Sequence, residues 1–313
     1  MPTGGGKSIC FQLSSLIRRG CTLVICPITA LVRDHVAELN GFGFRGRAEY
    51  ISQEVKGAER DRVFTKFKQG RLRFLFLSPE QIQKKEFRQL IESMSLSSLL
   101  TSIVVDEVHC ISEWGHDFRT SYLTLGNTIQ KHADGIPVLS LTATASMRVL
   151  KDITIELNVD EGAVCYHMER SRKELNFIVE KPADKRDRLK SLVRDLSKNG
   201  DATNERPFLI FTPHVNRQFG CAALIDNVRD NLKEERVAIF SGSEPSSEKS
   251  PWTYEKEKRF LPELDWQKID DSPHDEKYGK YKSEVQRLFK ENKLAGVCAT
   301  KSFGMGVNKQ NIR

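Results

Sequence analysis

Thr3-Gly4-Gly5-Gly6-Lys7-Ser8 lies at the start of the chain, and the residues that follow set Ile9, Leu13, Leu16 and Ile17 on one helical face. A glycine-rich turn feeding a helix is a phosphate cradle. Without Cβ atoms the backbone N–H groups approach phosphate oxygens closely, and the helix N-terminus adds a favourable dipole. In that geometry Lys7 reaches the β and γ phosphates of ATP and the Ser8 hydroxyl ligates Mg²⁺. Thr3, Gly4, Gly5, Gly6, Lys7 and Ser8 are therefore the expected nucleotide site. The first glycine of the usual eight-residue pattern would fall where Met1 stands. A fortuitous glycine turn capping a helix is the plain alternative, and the residues downstream weigh against it.

Short β-branched and aromatic runs alternate with longer helix-spaced segments along the rest of the chain. That order argues for an α/β class with parallel sheets built from βαβ units. Strands are expected at Thr22 to Cys26, Arg73 to Leu77, Ser102 to Val105 and Val138 to Leu141, then at Phe208 to Phe211, Val237 to Phe240 and Gly296 to Ala299. A length of 313 residues suits two domains. The boundary is expected near Arg170 to Arg172, giving domains 1–171 and 172–313, the second starting with Leu175 to Glu180. Between Ser243 and Lys280 the periodic signal disappears, leaving isolated Trp252, Tyr254, Trp266 and Tyr278 among polar residues. This reads first as a mobile solvated insertion. Its second reading is a strand-separating or partner-binding element that stacks through its aromatic rings.

Bulk composition excludes more than it assigns. The 49 Lys+Arg against 42 Asp+Glu give a net charge of +7, compatible with a polyanionic partner but shared by many proteins that bind none. Seven cysteines without a Cys-x-x-Cys pair indicate neither a disulfide framework nor a zinc site. No apolar run approaches the roughly 20 residues that span a bilayer, so a soluble, intracellular protein with no membrane partner is expected.

A second chemical element is Ile103-Val104-Val105-Asp106-Glu107, an apolar strand ending in adjacent carboxylates. At the C-terminal edge of a parallel sheet Asp106 can hold the Mg²⁺ shell while Glu107 polarises the attacking water. In isolation such a pair is more often a loop start. Placed after a phosphate loop in the same domain, Lys7, Asp106 and Glu107 become the candidate catalytic set.

From Asp106-Glu107-Val108-His109-Cys110 through Ser112-Glu113-Trp114-Gly115-His116-Asp117-Phe118-Arg119, the sequence resembles the RecQ family of DNA helicases. The run is similar to that family's motif II and the aromatic-rich loop behind it. Met1 to Ser8 resembles its motif I, Pro27 to Leu31 with Asp34 its motif Ia, and Ser78-Pro79-Glu80 its Pro-Glu motif. Leu139 to Ala145 resembles motif III, Leu209 to Thr212 motif IV and Ala299 to Lys309 motif V. What the resemblance implies is two RecA-like domains with ATP and Mg²⁺ in the cleft and single-stranded or partly duplex DNA running across both, with movement from 3′ to 5′. It also implies DNA-binding or coupling roles for His109, Trp114, Phe118, Arg119, Thr142, Thr144, Phe303, Gly304, Met305, Gly306, Asn308 and Lys309. Packing of Trp114 and Phe118 against the sheet is the simpler reading of those two rings.

Departures from the pattern bear on unwinding more than on nucleotide chemistry. Lys301-Ser302 replaces apolar and small residues, and Thr120-Ser121 lacks the proline usual after the Phe-Arg pair. Motif VI, whose arginine finger is worth on the order of 10³ to 10⁵ in rate in related phosphoryl-transfer systems, would lie past Arg313. Likewise, no residues stand ahead of the phosphate loop to form its strand. The expectation is a fragment or a misplaced start, with a catalytically impaired nucleotide- or DNA-binding module and an RNA helicase as the alternatives.

Overall fold

The computed structural model describes residues 6–27, 29–52, 55–112, 119–165, 176–198, 207–232, 236–246 and 252–303. The chain divides into two compact units, Met1–Asn176 and Phe177–Arg313. The boundary expected at 171/172 falls in 166–175, outside the described residues.

In the first unit β1 (Cys21–Ile25), β2 (Ala48–Ile51), β3 (Phe74–Leu77), β4 (Leu100–Val105) and β5 (Val138–Ser140) form one parallel sheet in the order β2-β3-β1-β4-β5. Around it lie α1 (Lys7–Ile17), α2 (Thr29–Gly41), α3 (Gly57–Lys68), α4 (Pro79–Ile82), α5 (Lys85–Leu96), α6 (Thr120–Leu123), α7 (Leu125–His132) and α8 (Met147–Glu156). Strand residues alternate between two apolar layers. Leu23, Ile25, Leu75, Leu77, Ile103 and Val105 face one, with Phe67, Phe87 and Ile129, while Val24, Phe74, Phe76 and Val104 face the other, with Phe11 and Val32. A parallel sheet covered on both sides needs this near-continuous apolarity.

Helix α1 is tied to the sheet by hydroxyls buried within the second layer. Ser15 Oγ donates to the Phe11 carbonyl at 2.5 Å, and Thr22 Oγ1 of β1 donates to Ser15 Oγ at 2.8 Å. Thr22 Oγ1 then accepts from Ser102 Oγ of β4 at 2.7 Å, since its one proton is already used. Each link satisfies a group that would otherwise be buried without a partner. Among the described residues no strand precedes α1. Beside the outer strand β5 lies an apolar cavity of about 480 Å³, bounded by Cys10 of α1, Val138 and Leu139 of β5, and Leu150 and Ile153 of α8.

The second unit holds β6 (Phe208–Phe211), β7 (Val237–Phe240) and β8 (Gly296–Ala299) in the parallel order β6-β8-β7. Its helices are α9 (Lys185–Lys198), α10 (Cys221–Leu232), α11 (Tyr254–Phe260), α12 (Trp266–Asp270) and α13 (His274–Lys290). The central strand begins on a glycine because the Phe208 ring lies over it. A Cβ on Gly296 would stand 2.3 Å from Phe208 Cζ. The segment expected to start this domain is not a strand over its described part, and Phe177, Ile178 and Val179 are exposed.

The reading of this stretch as a mobile solvated loop is corrected by the structure, since most of its described part is folded. Helices α11 and α12 and the start of α13 occupy it, and Trp252, Leu261, Leu264, Ile269 and Tyr278 are buried. The Trp252 ring packs edge-on against Tyr254, Tyr278 and Tyr281 at 4.9, 5.9 and 5.8 Å between centroids. Trp252, Tyr278 and Tyr281 belong to the unit's own core, and Tyr254 and Trp266 pack half-buried against it. The periodicity was hidden because helices of seven and five residues complete too few turns to display it.

Charges in this segment are paired as well. Arg229 of α10 donates to Glu257 of α11 at 2.9 and 3.1 Å and to the Val237 carbonyl, and Tyr281 Oη donates to the same carboxylate at 2.7 Å. Both partners are buried, their side chains 2% and 0% exposed. Removing one partner leaves the other charge stranded in a dry interior. Glu257→Ala is expected to destabilise the second unit by about 3–5 kcal/mol. Urea unfolding followed by Trp fluorescence measures this, and a loss under about 1 kcal/mol would restore the solvated-loop reading.

Candidate nucleotide site

The site lies where the carboxyl ends of β1, β4 and β5 meet the start of α1. Parallel pairing aligns Ile25 with Val105 and Val105 with Ser140, so the loops leaving all three strands emerge together. Backbone bonds extend that alignment past the strands. Asp106 N–H donates to the Ile25 carbonyl at 2.9 Å, Leu141 N–H to Val105 at 2.9 Å and Val108 N–H to Leu141 at 3.0 Å.

Gly6 stands at the N-terminus of α1 with φ +81°, a left-handed conformation that a side chain would strain. Lys7 and Ser8 begin the helix. Thr3, Gly4 and Gly5 lie outside the described residues. What is described of the loop has the turn and the helix terminus that phosphate binding requires.

Glu107 also has a left-handed backbone, φ 48° and ψ 45°, which costs a non-glycine residue about 1–2 kcal/mol. Its contacts offset that strain. Its N–H donates to Asp106 Oδ1 at 2.9 Å, and its carbonyl accepts from Cys110 N–H at 3.0 Å. The carboxylate is shared between two cationic or donor groups, Lys7 Nζ at 3.0 Å from Oε1 and His109 Nδ1 at 3.2 Å from Oε2.

His109 is buried and passes the network on, its Nδ1 lying 2.8 Å from Thr142 Oγ1. That hydroxyl donates to the Thr144 carbonyl at 3.1 Å and accepts from Thr144 N–H at 3.2 Å. With the Thr142 proton committed, the bond to His109 requires the proton on Nδ1, which then serves Thr142 and Glu107 together. Lys7, Glu107, His109, Thr142 and Thr144, drawn from three separate sequence motifs, thus form one continuous chain of contacts.

Burial pushes the Asp106 carboxyl above its ordinary value, and the neighbouring Glu107 charge adds to this, against the opposing pull of Lys7. Burial also acts upward on Glu107, but the hydrogen bond from His109 and the charge of Lys7 outweigh it and hold that carboxyl below the usual range. Two adjacent carboxylates, one destabilised as an anion, together with the Ser8 hydroxyl make a hard-oxygen donor set that fits Mg²⁺. Among the described residues no group of three or more His, Cys, Asp or Glu side chains is placed to hold a metal ion by itself. Asp106 and Ser8 would then be the protein's ligands, with the remaining positions left to water and phosphate oxygens.

Of the expected DNA-coupling residues, Trp114, Phe118, Gly304, Met305, Gly306, Asn308 and Lys309 lie outside the described residues. Arg119 donates from its guanidinium to the Pro27 carbonyl at 2.7 Å and from its N–H to Cys110, bracing the loop after β1 against the turn after β4. Phe303 is buried against Phe240, with ring centroids 4.7 Å apart. Two supporting residues were missed from the sequence. Tyr122 Oη donates to the Asp106 carbonyl at 3.2 Å, and His35 stacks on Phe76 at 5.7 Å. A buried tyrosine needs a partner for its hydroxyl, but only the fold reveals which one.

Residues 1–153 match the DEAD/DEAH box helicase family. All of the chain aligns with a Bacillus subtilis (strain 168) protein named probable ATP-dependent DNA helicase RecS, 31% identical, of which it covers 53%. It aligns equally fully with the mouse ATP-dependent DNA helicase Q1, 30% identical, and covers 42% of it. The chain therefore spans about half the length of these relatives, or less. Among solved structures, the DUF1998 helicase MrfA bound to DNA and AMPPNP shares the fold, with a TM-score of 0.60 and 14% identity over 98% of this chain and 39% of that one.

Long-range ¹H–¹⁵N correlation spectra should show the His109 ring protonated at Nδ1. A ring whose Nδ1 lacks the proton would break the contact chain at its centre. By sequence this chain resembles the RecQ-family helicases along its whole length, its residues 1–153 match the DEAD/DEAH box helicase family, and its mixed α/β fold is that of RecA-like helicase domains.

Proposed function

We propose that this chain is the motor of an ATP-dependent DNA helicase of the RecQ type, moving 3′ to 5′ on single-stranded or partly duplex DNA. The carrying observation is the contact chain from Lys7 through Glu107 and His109 to Thr142 and Thr144. It connects the phosphate-binding lysine to the loop after β5, so a change at the phosphates is felt at a second loop without any intervening gap.

The residues have separable tasks. Lys7 and the N-terminus of α1 bind phosphate oxygens, Asp106 and Ser8 would hold a Mg²⁺ ion, and Glu107 orients and deprotonates the attacking water. Mg²⁺, when bound, neutralises charge on the phosphate oxygens. Phosphate and Glu107 compete for the same Lys7 ammonium, so nucleotide binding releases Glu107 from one of its two partners. His109 remains, and through it Thr142 and Thr144 register the exchange. Arg119, with Trp114 and Phe118, is assigned to sensing the DNA strand, and the Phe303 to Lys309 loop of the second unit to transmitting the nucleotide state. Support for DNA comes from the RecQ-type relatives and the Trp114 to Arg119 loop.

The test is ATP hydrolysis by the chain with single-stranded DNA, with single-stranded RNA and with neither. DNA should stimulate it more than RNA does. Glu107→Gln should lower the stimulated rate by about 10²–10⁴-fold, the range for a general base, while leaving ATP binding in place. Hydrolysis by Glu107→Gln at the unmodified rate would overturn the catalytic assignment, and preferential stimulation by RNA would overturn the choice of strand.

A further inference from the structure

Lys282 of α13 is set apart from the other cations around it. Lys277 pairs with Asp270, Lys268 with Glu284, and Arg287 with Glu284 and Glu291. No such pair is formed by Lys282 among the described residues. Instead its Nζ lies over two aromatic faces, 5.3 Å from the Tyr278 ring centre and 5.8 Å from that of Phe240. Burial pushes its pKa below the ordinary lysine value, with no carboxylate to counter the effect.

The two rings fix where this ammonium stands. Phe240 is the last residue of β7, and Tyr278 Oη is bonded to the next residue, 2.6 Å from Ser241 Oγ and accepting from Ser241 N–H at 3.2 Å. Lys282 is thereby held at the carboxyl end of the second unit's sheet. The loop after β8 adjoins the same place. A Cβ on Gly242 would lie 3.9 Å from Ser302 Cβ, and Ser302 Oγ is 2.9 Å from Thr300 Oγ1. Carboxyl ends of parallel strands are where α/β sheets take their ligands. Aromatic faces favour a cation only weakly and leave its hydrogen-bond donors unused, whereas an oxyanion satisfies both charge and donors.

We propose that Lys282 binds a backbone phosphate of the DNA strand on the second unit, a positioning contact in addition to the motif residues. It rests on the function proposed above. Phe303 packs on the other partner of this lysine's clamp, Phe240, so the same cluster joins the strand contact to the loop after β8. Lys282 is only half-buried there, so its ammonium over the rings keeps an open side from which an oxyanion can approach.

The experiment measures binding of fluorescein-labelled oligodeoxythymidine to the whole chain across a salt series, beside binding of a fluorescent ATP analogue. For Lys282→Met, which keeps the apolar stem, affinity at low salt should fall several-fold. The slope of log K against log salt should become shallower by about 0.7, one phosphate contact on a single strand. Lys282→Arg should keep the slope, and ATP-analogue affinity should be unchanged in both. Should Lys282→Met fail to fold by circular dichroism, Lys282→Gln is measured with the same expectations. A neutral variant that binds with the original slope overturns this proposal alone, as does one that loses the ATP analogue while its strand slope is intact. Absence of any oligonucleotide binding by the unmodified chain overturns both this proposal and the function on which it rests.

Discussion

Everything at the candidate nucleotide site turns on one shared carboxylate. Glu107 is held in a left-handed backbone conformation, strained for a residue with a side chain, and from there reaches Lys7 with one oxygen and His109 with the other. An extended or helical residue at this point would send its carboxylate elsewhere. The strain is sustained because both neighbours are fixed independently, Lys7 by the start of α1 and His109 by burial beside Thr142. A pair that is only about one-fifth exposed keeps more of its attraction than a solvated one, yet stays accessible enough for a phosphate to displace one partner.

The sheet supplies the positions that this carboxylate connects. Thr22, Ser15 and Ser102 tie α1 to β1 and β4, and hence set Lys7 in register with Asp106 and Glu107. On the far side, Leu141 and Val108 exchange backbone bonds with β4 and with each other's loops, setting Thr142 against His109. In the second unit the buried Arg229–Glu257 pair and the Trp252 ring cluster do comparable work, closing α11 and α13 over β7 and leaving Lys282 at the sheet's carboxyl end. The same rule of strand ends thus organises both units, although their cores are built from different materials.

Much of this was legible beforehand. Seven of the eight strands among the described residues are expected within a residue or two, because apolar runs such as Phe74–Leu77 and Ile103 to Val105 carry their own signal. Strand β2 was missed because Ala48–Ile51 includes Glu49, which reads as surface until its bonds to Arg62 and Lys66 of α3 are seen. The short helices over Tyr254–Phe260 and Trp266–Asp270 have too few turns to show a period, so the sequence there reads first as a solvated loop and only second as a stacking element, whereas Tyr254, Phe260 and Trp266 pack against the unit's core. Lys7, the pair Glu107 and His109, and Thr142 are named from three separate motifs. Their direct contact, the proton on His109 Nδ1 and the support from Tyr122 depend on distances that linear order does not contain.

The claim that Lys7 and Glu107 form one functional pair is tested most directly by a double-mutant cycle on folding stability, comparing Lys7→Met, Glu107→Gln and the double variant with the unmodified chain. Residues in direct contact should show a coupling of about 0.5–3 kcal/mol, the double variant losing less than the sum of the single losses. Strict additivity of the two losses would contradict the account, because it would mean that the carboxylate and the ammonium stand near each other without depending on each other.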